Sequence, residues 1–186
     1  MVPEPMAQWL RGITPDLLVA GTDARHGIRS LLRGSVAEAL ARNLEVPTLF
    51  VPDAGRGFVD PATGAIDLGR LLVPASELVI AERGLAAVRW FAALANMRGE
   101  LEVVLVHAGG PIALVGAPGL RVRSMVVPGS AGAAIASAIR DHDPRLIVMP
   151  THGHDGAIDA LLGSHTEHVV RQAVCPVLSV PLRPRA

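Results

Sequence analysis

Tyrosine is absent from this 186-residue chain and aromatic residues make up only 3% of it, so little is available for stacking single-stranded nucleic acid or sugar. Aliphatic packing must build the core. Cys175 is the single cysteine, which rules out an internal disulfide. Neither sign of charge is in excess: Lys+Arg and Asp+Glu both number 17, and nothing in that balance favours a nucleic-acid partner or a membrane surface. Gly, Pro or a charge interrupts every apolar run well short of the ~20 residues that a membrane-spanning helix needs. The N-terminus MVPEPMAQWLRG has neither the charged start nor the apolar run of a signal peptide, and a cytoplasmic location is expected. Half of the residues are hydrophobic, enough for one large domain or for one domain and a fragment.

What the chain does contain is a repeat. At an offset of 129, residues 11–52 align with residues 140–181 without a gap, and 15 of the 42 pairs are identical. Pro15 matches Pro144, Gly27 matches Gly156, Gly34-Ser35 match Gly163-Ser164, Glu38 matches Glu167, and Val51-Pro52 match Val180-Pro181. Each copy opens on an apolar run short enough for a buried strand, Leu17 to Ala20 or Leu146 to Met149. A helical stretch follows and stops at Pro47 or Pro176, and a second run, Thr48 to Val51 or Val177 to Val180, reads as another buried strand. Each copy is therefore a βαβ unit, and a right-handed crossover places its two strands parallel in one sheet.

Residues 53–67, DAGRGFVDPATGAID, have the Gly, Pro and Asp content of a linker. Beyond it, Leu71 to Pro74 reads as a strand, residues 77–97 as a helix with Leu78, Ala81, Leu85, Val88, Ala92 and Ala95 on one side, Leu101 to Val106 and Val122 to Val127 as strands, and Ser130 to Ile139 as an alanine-rich helix. The expected fold is α/β: an open, parallel, five-stranded Rossmann-like sheet with helices on both faces, plus a partial βαβ repeat. The expected divisions are a partial repeat over 1–52, a linker over 53–68 and a complete domain over 69–183. Ligands of such sheets bind beyond the C-terminal ends of the strands.

The segment LIVMPTHGHDGAIDALLGSHTEHVVRQAVCPVLSVP, Leu146 to Pro181, resembles the C-terminal part of the universal stress protein family, whose nucleotide-binding members carry G-x2-G-x9-G-S/T. Gly153, nine intervening residues and Gly163-Ser164 fit the second half of that pattern, the strand at Leu71 to Pro74 resembles the family's first strand, and residues 11–52 resemble the same C-terminal half again. The resemblance implies an adenine nucleotide alpha-hydrolase-like fold and an ATP or AMP site. It implies that Gly153, Gly163, Ser164 and Thr166 line the ribose and phosphates, with Ala75, Ser76 and Met149 nearer the base and His152 and His165 among the nucleotide-binding residues. Glycines let a loop approach a ligand closely, and free amides at a helix start suit phosphate. The chain departs from the pattern at Pro150, where the first glycine would stand, at Ala24 in the upstream copy, and at Ser76, where the family usually has aspartate.

Other readings of the same residues stay open. Ser164 to Glu167 and Ser35 to Glu38 both have the form of a capping box, which accounts for the serines with or without a phosphate. Four histidines, His152, His154, His165 and His168, crowd one loop and the helix after it, a set able to bind zinc, although their spacing matches no standard metal signature and no metal is expected. His107 closes the strand from Leu101, where a hydrogen-bonded structural histidine is expected. Cys175, beside Pro176, reads as a buried thiol. No nucleophile with a base, paired carboxylates or lysine-bearing phosphate loop is present, and H-G-H at 152–154 is one residue too short for a nucleotidyl-transferase motif.

The resemblance implies a non-enzymatic stress-response or regulatory module that binds ATP or AMP in its downstream domain. The alternatives are an interaction or dimerisation module without nucleotide and a His-cluster metal-binding protein. An incomplete upstream sheet also implies pairing through the last strands, within the chain or in a homodimer.

Overall fold

The computed structural model describes residues 12–13, 15–22, 46–53, 55–108, 111–113, 117–151 and 173–182. Its elements are strands β1 (Leu18–Thr22), β2 (Thr48–Pro52) and β3 (Arg70–Pro74), helix α1 (Leu78–Leu94), strands β4 (Leu101–Ala108) and β5 (Leu120–Val127), helix α2 (Ala131–His142), and strands β6 (Leu146–Thr151) and β7 (Val177–Pro181). They form one seven-stranded sheet in the order β1-β2-β7-β6-β3-β4-β5. Every neighbouring pair is parallel except β2 and β7.

The central strands are continuous apolar runs because both of their faces are covered. Leu71, Val73, Val103, Leu105, Val148 and Leu178 face one layer, which α1 fills with Ile80, Leu85, Val88 and Phe91. Leu72, Val104, Val106, Ile147 and Met149 face the other, which α2 fills with Ala134, Ile135 and Ala138. On the outer strand β5 the pattern changes to alternation, with Arg121 and Arg123 exposed. Helix α2 starts where Ser130 accepts a hydrogen bond from the Ala133 amide, and stops at Asp143, which adopts the left-handed conformation at φ 44°. Arg140 and His142 in its last turn suit the negative end of the helix dipole. Gly84 lets α1 lie close to the sheet: a Cβ there would sit 2.4 Å from Val73 Cγ1 and 3.1 Å from Pro150 Cγ.

The repeat persists as geometry. Leu18 stands opposite Thr48 in the β1–β2 pair and Ile147 opposite Val177 in the β6–β7 pair, the same register displaced by the offset of the repeat. The bond from Leu18 N to Pro47 O (2.9 Å) likewise has its counterpart from Ile147 N to Pro176 O (3.0 Å). The two copies meet within the chain through the antiparallel β2–β7 pair, the intramolecular form of pairing by last strands.

The segment that connects the copies is packed despite its composition. Phe58 is buried edge-on against Phe91, with ring centroids 5.7 Å apart, and Leu68 is fully buried. A bridge between Val59 and Ile66 closes a turn in which Asp60 Oδ1 accepts from the Ala62 amide at 2.8 Å, and this bond holds the Asp60 carboxyl below the usual carboxylate range. Ion pairs from Arg56 to Asp143 and from Arg145 to Asp67 tie the segment to the turn between α2 and β6.

Candidate functional site

A cavity of about 160 Å³ opens at the C-terminal ends of β3, β4 and β6, the edge at which sheets of this kind bind ligands. β3 and the residues after it contribute Pro74, Ala75 and Ser76 to its wall, β4 contributes Val106, His107 and Ala108, and β6 contributes Met149 and Pro150. Ile80 of α1 closes one side, and Ala131, Ala134 and Ile135 of α2 close the other. The Ala75 amide donates to Val106 O at 2.9 Å and so prolongs the β3–β4 ladder by one residue before the chain turns away at the exposed Ser76. Three residues assigned to the base side of a nucleotide, Ala75, Ser76 and Met149, thus share one cavity although 73 positions separate the last two.

Pro150 is also in this wall, and its ring occupies the space opposite Gly84. Proline at this position offers no amide to a ligand, so the contribution of Pro150 is apolar. The described lining carries no Asp, Glu, Lys or Arg side chain. Such walls suit a flat, weakly polar group, and the described lining holds no paired acid and base for turnover.

His107 corrects the expectation of a hydrogen-bonded strand-end histidine. It is 2% exposed, and neither Nδ1 nor Nε2 has a hydrogen-bond partner among the described residues. The residue follows Val106 in a strand whose odd-numbered residues Val103 and Leu105 face the α1 layer, which puts the imidazole on that side of the sheet. Nothing local in the sequence separates a partnered from an unpartnered histidine at a strand end.

Cys175 is buried, as expected, and burial, with a smaller contribution from the charge of Asp143, pushes its thiol up to about 12. His152, Gly153, Gly163, Ser164, His165 and Thr166 lie outside the described residues, as do His154 and His168, Ala24 and both capping boxes. Among the described residues no group of three or more His, Cys, Asp or Glu is placed to hold a metal ion. No helix among them is long and apolar enough to cross a membrane.

The family model described as "Universal stress protein family" matches residues 4–52 and 112–181, more than half of the chain and parts of both copies. The chain belongs to the universal stress protein family. No curated protein matches the sequence. Among solved structures, a universal stress protein from Archaeoglobus fulgidus DSM 4304 is similar over 95% of this chain, at 20% identity and a TM-score of 0.67. A protein of unknown function from Pseudomonas aeruginosa PAO1 is similar over 95% of the chain, at 15% identity and a TM-score of 0.62. The chain spans 65% of the length of the first and 66% of the second, and at these identities the likeness concerns the fold. The Rossmann-like α/β architecture of this universal stress protein is that of its structural neighbours, including the stretch from β3 to β4 that the family model leaves unmatched.

Proposed function

We propose that this universal stress protein is a cytoplasmic, non-enzymatic regulatory module whose complete copy, residues 69–183, binds an adenine nucleotide, ATP or AMP. The base lies against Ala75, Ser76 and Met149. The ribose and phosphates are held by His152, Gly153, Gly163, Ser164, His165 and Thr166, which lie outside the described residues. The partial copy, residues 1–52, is joined to it by residues 53–68 and acts as a built-in partner through β2.

The observation that carries this reading is the cavity at the C-terminal ends of β3, β4 and β6, whose wall contains all three base-side residues. Its apolar lining favours a heteroaromatic ring over a sugar or an anion, and leaves the charged end of the ligand to amides beyond it. Calorimetric titration with ATP and AMP tests the reading. Micromolar binding to the native chain that is lost in Gly163→Val supports it, and no binding of either nucleotide overturns it.

The antiparallel β2–β7 pair favours a second reading, in which the module acts only through protein contacts and the cavity stays apolar and unliganded. A silent titration together with a defined oligomer selects that reading.

A further inference from the structure

Buried side-chain nitrogens without a hydrogen-bond partner occur in two of the described residues, Arg70 and His107. Arg70 Nε still has a carboxylate beside it, with Glu102 Oε1 at 3.4 Å. His107 has no such neighbour at either ring nitrogen, although the residue is only 2% exposed. Polar groups buried in this way are rare, because each gives up its bonds to water without a replacement.

The surroundings of His107 explain why the described chain supplies no partner. Pro74 stands opposite Val106 in the β3–β4 pair, and Ala75 and His107 continue that register by one residue. On its other side His107 stands opposite Val126 of β5. Leu105 precedes it on the same face of β4, and Ile80 and Pro150 belong to the cavity wall on the α1 side. All of these side chains are apolar.

The direction left to the ring is the cavity. Val106 O accepts from the Ala75 amide, so the backbone groups of Val106 serve β3 and those of His107 point toward β5. What His107 presents to a cavity at the ends of β3, β4 and β6 is therefore its side chain. Ser76, the other polar side chain of the described lining, is exposed. A neutral imidazole carries one donor and one acceptor. That pair matches the rim of an aminated heteroaromatic base, where ring nitrogens accept and the amino group donates. Folding has already taken the imidazole out of water, so a bond to such a base is gained without further desolvation of the protein.

We propose that His107 determines the specificity of this site, its imidazole hydrogen-bonding the base that lies in the cavity. The inference rests on the reading of the cavity as the base side of a nucleotide site. It also gives the unpartnered ring a purpose: stability is given up in the empty protein for recognition in the complex.

Calorimetric titration of the native chain and of His107→Leu with AMP tests this, with a melting temperature for each protein without ligand. His107→Leu is expected to melt no lower than the native chain and to bind AMP about tenfold or more weakly. A nonpolar isostere of AMP, with a methylindole in place of adenine, is expected to bind the native chain more weakly than AMP does, and His107→Leu at least as well as AMP does. A side chain that only supports the fold would not change this preference. His107→Gln, which keeps a donor and an acceptor, is expected to recover part of the selectivity. The ring-nitrogen NMR signals of His107, assigned by their loss in His107→Leu, are expected to shift when AMP is added to the native chain. Equal affinity of the native chain and His107→Leu for AMP, or signals that stay in place on binding, overturns the inference and leaves the nucleotide reading standing. AMP bound by neither protein overturns both.

Discussion

Leu49 and Leu178 stand directly opposite each other across the β2–β7 pair, and they are the same position of the repeat. Thr48 faces Ser179 and Phe50 faces Val177, so the pseudo-two-fold axis between the copies passes through this leucine pair. Both side chains are buried in the α1 layer. A repeat that meets itself in this way uses one surface twice, the intramolecular counterpart of an isologous dimer contact.

Truncating either leucine should leave a cavity at the junction. Leu49→Ala and Leu178→Ala are each expected to cost about 2–5 kcal/mol. The pair should be non-additive by about 0.5 kcal/mol or more, because the two side chains share one contact. Chemical denaturation of both single variants and the double variant measures the coupling. Strict additivity would mean that the leucines stabilise their own copies and not the junction.

Gly84 is the position at which α1 touches the sheet. Gly84→Ala would gain helix propensity of roughly 1 kcal/mol, yet its Cβ falls 2.4 Å from Val73 Cγ1. Overpacking of that kind costs about 1–3 kcal/mol, so the variant should be less stable on balance. It should also displace Pro150 in the cavity wall and weaken any nucleotide bound there. Thermal melts with and without AMP separate the two effects.

His107 invites a substitution that improves stability. A buried donor and acceptor without partners carry a desolvation cost of about 1–3 kcal/mol, which an apolar side chain of similar size avoids. His107→Leu should therefore melt higher than the native chain. A lower melting temperature would show that the imidazole has a partner in the folded protein, a water or a residue outside those described.

Much of this arrangement was legible in the sequence because its signals are local. The apolar runs from Thr48, Leu71, Leu146 and Val177 are short, unalternating and closed by proline or a turn, as doubly covered strands must be. The run from Leu17, read from the same signal as a buried strand, is instead an outer strand with Val19 65% exposed, although its register on β2 is that of β6 on β7. Features that depend on distant partners were not legible. Phe58 sits in a stretch with linker composition and is buried only because Phe91 lies against it. Gly84 interrupts an otherwise ordinary helical pattern, and its need for small size appears only when Val73 and Pro150 are placed beside it. Of the candidate site, Ala75, Ser76 and Met149 line one cavity, while His152, Gly153, Gly163, Ser164, His165 and Thr166 fall outside the described part of the chain.

The thiol of Cys175 makes stability depend on pH in the alkaline range. Burial raises it from an ordinary value near 9.0 to about 12 in the folded chain, so below the ordinary value the thiol is neutral in both states and the full stability is present. As pH rises from about 9 toward 12, the unfolded chain releases a proton that the folded chain keeps, and ionisation favours unfolding. The native protein should therefore lose stability over that window by more than a Cys175→Ala variant does, although the variant begins lower because it leaves a small cavity. The same burial predicts that iodoacetamide at pH 8 labels Cys175 only after denaturant is added. Rapid labelling of the folded chain, or parallel pH profiles for the two proteins, would show that the thiol reaches solvent at the start of β7.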